Sequence, residues 1–300
     1  MPAIKTITIN KYDYMNAKPA ADFTDVKPVI SAFTEFDKEG HTITEITYLN
    51  DGSIEQKCEY QYNEKGEPIS EILINDEGEV DEKKTFEYND KGQLSKEFLI
   101  YQDESFDTTD FNYNDEGKLL EKITVDHDGV PESKKEYKYE KGLLMSETAF
   151  DGENNILTEI NYVYDEKGNE IEIIHHNALE DVRTRTEYEY NESNKKTEAY
   201  AYNSKDELVA KNLYKEDEKG QVIEIVEEDQ FNKSTTVIEY DDKGNMISQL
   251  ESNSAGELNH RILRKFDEND NLLEVAVTID KHGAGLNQNY VIHYEYEYFE

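Results

Sequence analysis

The 300-residue sequence has no tryptophan, one cysteine and five prolines. A single cysteine excludes a disulfide framework within the chain. Cys58 occupies a position that Tyr or Phe holds in related segments, so we interpret it as a small buried side chain rather than a nucleophile. Apolar runs of about 18 residues are absent, and the start, MPAIKTITINKYDYMNA, lacks a signal-peptide core. We therefore expect a cytoplasmic protein; a specialised export route or a removed signal peptide are the alternatives.

Positive charge is scarce. Lys and Arg number 32 against 69 Asp and Glu, which gives a formal net charge of −37. Such a chain repels phosphate backbones and anionic lipid surfaces, so we expect neither a nucleic-acid partner nor membrane insertion. The charge would attract a basic protein. Its alternative role is to keep the protein soluble and to prevent aggregation through sheet edges.

Catalytic and metal-binding patterns are also absent from the sequence. The adjacent histidines, His175 and His176, would point to opposite faces of a strand and could not easily share a metal ion. The acidic run 267–271 resembles a calcium loop, but Leu272 replaces the required glycine and Thr278 the final carboxylate. Carboxylates are so numerous that no acid–base pair stands out. We predict no catalytic, cofactor-binding or metal-binding residue, and hence no enzyme.

The chain does contain one turn motif that is repeated along the sequence. YNDKGQL at residues 88–94 returns as YNEKGEP, YNDEGKL, YDEKGNE and YDDKGNM. The period is about 25 residues, and about ten copies follow Phe33. One copy is degenerate, with Glu216 at the anchor position and Tyr214 two residues earlier. The anchor aromatic residues of the other copies are Phe36, Tyr62, Tyr88, Tyr113, Tyr139, Tyr164, Tyr190, Tyr240 and Phe266.

Each copy predicts two strands and two turns. Phe86 and Tyr88 alternate with Glu87, which is typical of a strand with one buried face. The residues 89–92 then fit a type I turn closed by a G1 bulge, in which glycine adopts a positive φ. A looser second turn follows, as at residues 75–78. The predicted turn glycines are Gly40, Gly66, Gly92, Gly117, Gly142, Gly168, Gly220 and Gly244.

These hairpins predict an all-β fold with almost no helix. About twenty antiparallel strands would make a flat sheet of roughly 95 Å, and open twisted sheets of that size curl. We therefore expect tandem hairpin repeats of about 25 residues that form a long, coiled antiparallel sheet, an open spiral or solenoid-like ribbon. The Tyr, Phe and Ile residues would face inward, and the Glu and Lys residues outward.

The motif of Tyr, then Asn or Asp, then two residues and Gly resembles the RHS/YD-repeat family. The residues that carry it are Tyr88-Asn89, Tyr113-Asn114, Tyr164-Asp165 and Tyr240-Asp241 with Gly92, Gly117, Gly168 and Gly244. The resemblance covers nearly everything after residue 33 and implies a coiling ribbon of β-hairpins. The chain departs from the family in using Lys, Glu or Gln where Arg is common. No autoproteolytic core segment follows the last repeat.

The two ends of the chain differ from the middle. Residues 1–32 lack the period and contain Pro2, Pro19 and Pro28, so we predict an N-terminal cap or docking arm followed by one repeat domain, 33–300. At the other end, Tyr294, Tyr296 and Tyr298 alternate with glutamates. This pattern predicts either an edge strand that pairs with a partner or a charged edge strand that prevents pairing with another chain.

Three functions fit the sequence. The first is a non-catalytic scaffold, adaptor or assembly component that binds a protein. The second is an immunity protein or antitoxin that neutralises a basic toxin, favoured by the net charge. The third is a carbohydrate-binding surface that stacks tyrosines on sugars, and the absence of tryptophan counts against it.

Overall fold

The computed structural model describes residues 3–14, 27–282 and 287–300. Pro2 and Pro19 of the predicted N-terminal segment lie outside these residues. No helix in the described part of the chain is long and apolar enough to span a membrane. The prediction of an all-β protein is confirmed. The strands are β1 (Ile4–Asp13), β2 (Val29–Phe36), β3 (Thr42–Tyr48), β4 (Ile54–Tyr62), β5 (Pro68–Ile74), β6 (Val80–Tyr88), β7 (Leu94–Tyr101), β8 (Phe106–Tyr113), β9 (Leu119–Val125), β10 (Pro131–Glu140), β11 (Leu143–Asp151), β12 (Ile156–Tyr164), β13 (Glu170–Asn177), β14 (Val182–Tyr190), β15 (Lys196–Tyr202), β16 (Leu208–Glu216), β17 (Val222–Asp229), β18 (Lys233–Tyr240), β19 (Met246–Asn253), β20 (Leu258–Phe266), β21 (Leu272–Ile279) and β22 (Gln288–Tyr298).

The repeated motif forms a tight turn, which we call the first-type turn. Between β6 and β7 the Gly92 amide donates to the Asn89 carbonyl at 2.9 Å, and Gly92 has a φ of +76°. The Asn89 side-chain oxygen accepts the backbone amides of Lys91 and Gln93, both at 3.0 Å. Asparagine is therefore selected because its side chain satisfies turn amides, and glycine because an L side chain strains at this φ.

The pairing register between the two strands of a hairpin changes beside the anchor aromatic residues. Glu87 pairs with Lys96, but Tyr88 pairs with Leu94, so Ser95 is an extra residue on β7. This is a β-bulge, which shifts the register of the two strands by one residue. The same shift occurs at the anchors Phe36, Tyr113, Tyr139, Tyr164, Tyr190, Tyr240 and Phe266.

The bulge decides which side chains share a face of the sheet. Directly paired residues lie on the same face. Phe86 pairs with Glu97, whereas Phe98 pairs with Thr85 on the opposite face. The predicted separation of aromatic and aliphatic residues from charged ones is therefore wrong. A one-residue shift moves a whole strand to the other face, and the sequence pattern alone did not reveal the extra residue.

The strands belong to two compact units. Unit 2 comprises residues Gln61–Ile72 and Val80–Leu213. From β6 to β16 each strand in this unit pairs antiparallel with the next strand of the chain. Unit 2 is thus an uninterrupted series of hairpins.

Unit 1 comprises residues Met1–Tyr60, Leu73–Glu79 and Tyr214–Glu300. Here β17 to β22 pair in chain order, and β1 to β4 do the same. In addition, β22 pairs antiparallel with β1. The last strand of the chain is therefore hydrogen-bonded to the first.

This terminal pairing corrects the predicted architecture. All 22 strands belong to one sheet, and its first and last strands pair. By strand connectivity the fold is a closed antiparallel β-barrel, so the prediction of an open spiral or solenoid-like ribbon is wrong. The physical reason is that an open sheet leaves two edges of unpaired backbone groups, and β1 fills that position between β2 and β22. The predicted boundary at residue 32 stays a prediction.

Few side chains are fully buried. The buried apolar residues among those described are Ala199 in unit 2 and Ile238, Val277 and Val291 in unit 1. Most other strand residues are half-buried, because each face of the sheet keeps contact with solvent. Stability must therefore depend on strand pairing and on side-chain contacts between neighbouring hairpins rather than on one thick core.

Five of the anchor tyrosines, and Tyr296, make such a contact. The Tyr88 hydroxyl, at the end of β6, donates to the Pro68 carbonyl at the start of β5 at 2.7 Å. The acceptor is always the residue two positions after the left-handed residue of the preceding first-type turn. The other donor–acceptor pairs are Tyr113 to Leu94, Tyr164 to Leu144, Tyr190 to Glu170, Tyr240 to Val222 and Tyr296 to Leu272. Each tyrosine therefore links one hairpin to the preceding one.

Removing this hydroxyl should weaken the link. We expect Tyr88→Phe to lower the free energy of unfolding by about 0.5–1.5 kcal/mol, because the Pro68 carbonyl loses its donor while the ring stays. Urea denaturation would measure the change. The control is Tyr48→Phe, because the Tyr48 hydroxyl has no hydrogen-bond partner among the described residues and should cost less. Equal costs would contradict the proposed link.

The left-handed turn residue allows a second test. Gly168 has a φ of +85°, and a Cβ atom there would meet nothing within 4 Å, so only backbone strain opposes substitution. We expect Gly168→Ala to cost about 1–2 kcal/mol. Gly168→Asn should cost less, since Asn194 already occupies the corresponding place of the next repeat with a φ of 59°. Thermal denaturation of both variants would check this order, and an alanine variant as stable as the asparagine variant would contradict it.

Candidate protein-binding surface

The two turn types differ in chemistry. We call the looser turn between successive repeats the second-type turn. The tips of the first-type turns contain no large apolar residue, whereas each second-type turn of unit 2 contains or borders an exposed one. We name the five segments 101–107, 125–132, 151–156, 177–182 and 202–208 the apolar–acidic edge. Its large exposed apolar residues, with their exposed fractions, are Tyr101 (40%), Phe106 (39%), Val130 (56%), Ile156 (45%), Leu179 (76%) and Leu208 (48%). Every segment contributes at least one.

The same edge is strongly negative. It contains a single lysine, Lys205, and no arginine. The acidic residues are Asp103, Glu104, Asp107, Asp126, Asp128, Glu132, Asp151, Glu153, Glu180, Asp181, Asp206 and Glu207. Apolar side chains therefore stand among carboxylates along the whole edge.

Carboxylates and amides within the turns hold their backbone in place. The Asp126 side chain accepts the backbone amides of Asp128 at 2.9 Å and Val130 at 2.8 Å. The Asn177 side chain accepts the amide of Leu179 at 3.0 Å. These hydrogen bonds satisfy polar groups of the turn within the turn itself. The apolar side chains of Val130 and Leu179 are left exposed on an ordered backbone.

A small polar cluster lies at the start of the edge. The Tyr101 hydroxyl donates to Asp107 at 2.6 Å. This hydrogen bond, with a smaller effect of desolvation and of the Asp107 charge, raises the pKa of Tyr101 to about 12. Desolvation and the charge of Asp107 raise the pKa of Glu132 above its usual range. Phe106 packs edge-on against Phe98 with 6.3 Å between the ring centroids.

Arg185, on β14 beside the edge, is neutralised within the protein. Its Nε lies 2.7 Å from Asp206, and Glu187 and Glu172 also pair with it. Its guanidinium stacks on the Tyr202 ring at 3.7 Å from the centroid. The hydrogen bond that the Arg185 guanidinium donates to Asp206 raises the pKa of Arg185. The cation next to the edge therefore does not offset its negative charge.

The structure places the predicted repeat residues in the scaffold rather than in this edge. The anchor aromatic residues end the strands that lead into first-type turns. The predicted glycines all have positive φ: Gly40 (91°), Gly66 (79°), Gly92 (76°), Gly117 (83°), Gly142 (89°), Gly168 (85°), Gly220 (78°) and Gly244 (95°). Their roles in function stay untested predictions.

The predicted partner contact at the C-terminus lies in β22. Tyr294 pairs with Ile9 and Tyr296 with Ile7 of β1. Tyr298 pairs with Ile4. β22 is paired on both sides, with β21 and with β1, so these tyrosines do not lie on a free sheet edge.

The histidines and acidic residues were also predicted to form no metal-binding or catalytic site. Among the described residues, no three His, Cys, Asp or Glu side chains converge as metal ligands. His175 and His176 lie on successive positions of β13, and His176 is 3.4 Å from Asp181. The predicted absence of metal, cofactor and catalytic residues stays a prediction.

Comparisons with known proteins give no family. No protein-family model matches the chain, and neither does any curated protein. Among solved structures, TcdB2-TccC3-Cdc42 is similar at 13% identity and a TM-score of 0.45, over 95% of this chain and 18% of that chain. A porin-like protein from Bacteroides uniformis ATCC 8492 is similar at 12% identity and a TM-score of 0.33, over 98% of both chains. Similarities this low support no inference about function.

The sequence reasoning did not find the apolar–acidic edge. A signal was present, because Leu179 stands inside the turn Asn177–Asp181, where polar residues are usual. Phe231, 89% exposed at the turn between β17 and β18 of unit 1, shows the same departure. A large apolar residue within a predicted turn was thus the informative feature.

The polar cluster gives a local prediction. We expect Asp107→Asn to return the pKa of Tyr101 from about 12 toward its usual value near ~10, because the acceptor loses its charge. The pKa of Glu132 should fall in the same variant. Tyrosine-selective NMR titration would measure the first change. The control is Asp103→Asn, because Asp103 bonds Ser105 instead; a Tyr101 pKa that responds equally to both variants would contradict the assignment.

Proposed function

We propose that this protein is a non-catalytic scaffold or adaptor that binds a basic protein through the apolar–acidic edge of unit 2. The observation that carries the proposal is that each of the five second-type turns of that unit contains or directly borders an exposed apolar side chain. Apolar residues that are held exposed on an ordered backbone gain free energy when a partner covers them. Surrounding carboxylates select a partner of positive charge and accelerate its approach.

The dimensions of the edge suit a protein partner. Successive second-type turns are two strands apart, which corresponds to about 10 Å, so five of them extend over roughly 40 Å. That length is comparable to one side of an ordinary protein interface. A small molecule would cover only one or two turns. In repeat proteins the residues that vary from copy to copy commonly face the partner, and these turns vary in that way.

Kinship with the RHS/YD-repeat family is part of this proposal. It is supported by the motif residues, such as Tyr88-Asn89 with Gly92 and Tyr240-Asp241 with Gly244. A closed sheet of about ten repeats would make the chain a short, divergent relative. A cytoplasmic location, the absence of enzymatic activity and the absence of a nucleic-acid partner complete the proposal and rest on the charge and the sequence arguments above.

Neutralisation of a basic toxin is the second candidate. The single lysine among twelve acidic residues on the edge favours it over a general adaptor role. A neutralising protein would bind with strong electrostatic steering, so its association rate should fall steeply as salt increases. An adaptor held mainly by apolar contacts should show a weaker salt dependence.

The test compares matched variants in partner capture. Val130→Glu and Leu179→Glu add charge at the apolar–acidic edge, and Leu120→Glu makes the same change at another exposed residue (40%) near a first-type turn. We expect chemical cross-linking in extracts of the native source to join one basic protein to the edge of the parent. The Leu120→Glu control should retain that protein, and the two edge variants should lose it by about tenfold or more in affinity.

Two results would contradict the proposal. One is equal capture by the edge variants and the control. The other is a set of cross-links that maps to first-type turns. Far-UV circular dichroism of each variant must match that of the parent, because a misfolded variant would lose binding for an unrelated reason.

A further inference from the structure

The first strand is attached to the sheet differently from the strands that follow it. Residues 14–28 connect β1 to β2, whereas the hairpins of the repeats use short turns. Its other neighbour, β22, is the last strand of the chain. β1 therefore pairs with the strand that follows it in the chain and with the last strand.

Recognition of β1 is specific in register. Ile7 pairs with Tyr296 and Ile9 with Tyr294 on one face. On the other face Thr6 and Asn10 are 6% and 7% exposed, so the strand is covered there. A shift by one residue would bring the isoleucines to the face of Thr6 and Asn10. The alternation of β-branched and polar residues thus fixes both the register and the orientation.

Charge also distinguishes this strand. Its sequence, IKTITINKYD, contains two lysines and one aspartate, in a chain whose net charge is −37. The residues of β22 opposite Thr8 and Thr6 are Glu295 and Glu297. The Lys11 ammonium lies 4.8 Å from the centroid of the Tyr290 ring. Because directly paired residues share a face, Glu295 and Glu297 lie on the face of Thr6 and Thr8, whereas Lys11 lies on the face of Ile7 and Ile9. Lys11 therefore contacts the Tyr290 ring rather than these carboxylates.

We propose that the cleft between β2 and β22 is a strand-acceptor site, and that β1 of a second copy of this chain can occupy it. The register and the side-chain alternation reside in the strand itself. An exchange between two copies would reproduce the same contacts, so its free-energy cost is small. The occupant that fits is an extended segment with β-branched residues at alternate positions, inserted antiparallel to both neighbours. This site is independent of the apolar–acidic edge.

The test uses the full chain with its own strand weakened. Thr8 lies opposite both Glu295 and Phe33, so Thr8→Pro disturbs pairing in the middle of β1. The probe is a fluorescent peptide of residues 3–14. We expect Thr8→Pro to bind it about tenfold or more tightly than the parent does, while the control Thr8→Val, which keeps a β-branched residue and its amide, behaves like the parent. A peptide with Lys11→Glu should bind more weakly, because it loses the contact with the Tyr290 ring.

Self-association of the parent tests whether β1 of a second copy occupies the site. Sedimentation of the parent should show a dimer that grows with concentration and dissociates when excess peptide is added. A folded Thr8→Pro variant that does not bind the peptide would overturn the acceptor site. Peptide binding without any dimer of the parent would overturn the exchange between copies.

Hydrogen exchange on the parent covers the case in which Thr8→Pro does not fold. Exchange of strands requires β1 to open while its neighbours stay paired. We therefore expect the amides of β1 to exchange faster than those of β21. Equal protection of the two strands would overturn the proposal.

Discussion

A tyrosine hydroxyl that reaches the first carbonyl of a neighbouring strand is the contact on which the repeat depends. The bulge beside each anchor leaves a carbonyl available near the turn, and the next tyrosine donates to it, as Tyr190 does to Glu170 at 2.6 Å. The contact combines ring packing with a hydrogen bond between consecutive hairpins. Because buried apolar residues are few in the described chain, such links and the backbone ladders replace a thick core. Where Phe266 replaces tyrosine, the ring alone remains.

Pairing between β1 and β22 changes the interpretation of the acidic composition. From the sequence, the charge had two roles to choose between: solubility with protection of exposed sheet edges, and attraction of a basic partner. A sheet whose first and last strands pair has no terminal edge to protect. The closed connectivity thus removes edge protection as a reason for the charge and leaves solubility and the proposed attraction of a partner.

The sequence predicted local structure well because each local signal had a local cause. The turn at residues 89–92 follows from the side-chain bonds of Asn89 and the φ of Gly92, and both are readable from residue type. The bulge at Ser95 could not be predicted from the sequence, since serine is compatible with an ordinary strand position. The pairing of the first strand with the last strand could not be predicted either. It depends on contacts between Ile4–Asp13 and the other end of the chain, and the N-terminal segment lacks the repeat that revealed the other strands.

The two ends of the hairpins have different structural constraints. First-type turns touch one another: the Gln93 side chain donates to the Gly117 carbonyl at 3.2 Å, and Lys118 donates to Gly142 at 2.7 Å. A residue that bridges to the next turn must keep its length and polarity, which explains why this motif recurs with so little change. The turns at residues 151–156 and 177–182 have no such side-chain bridge to each other among the described residues, so neither Leu179 nor the neighbouring strand residue Ile156 is constrained by one. The repeated first-type turn thus serves the assembly of the hairpins, while these second-type turns can vary.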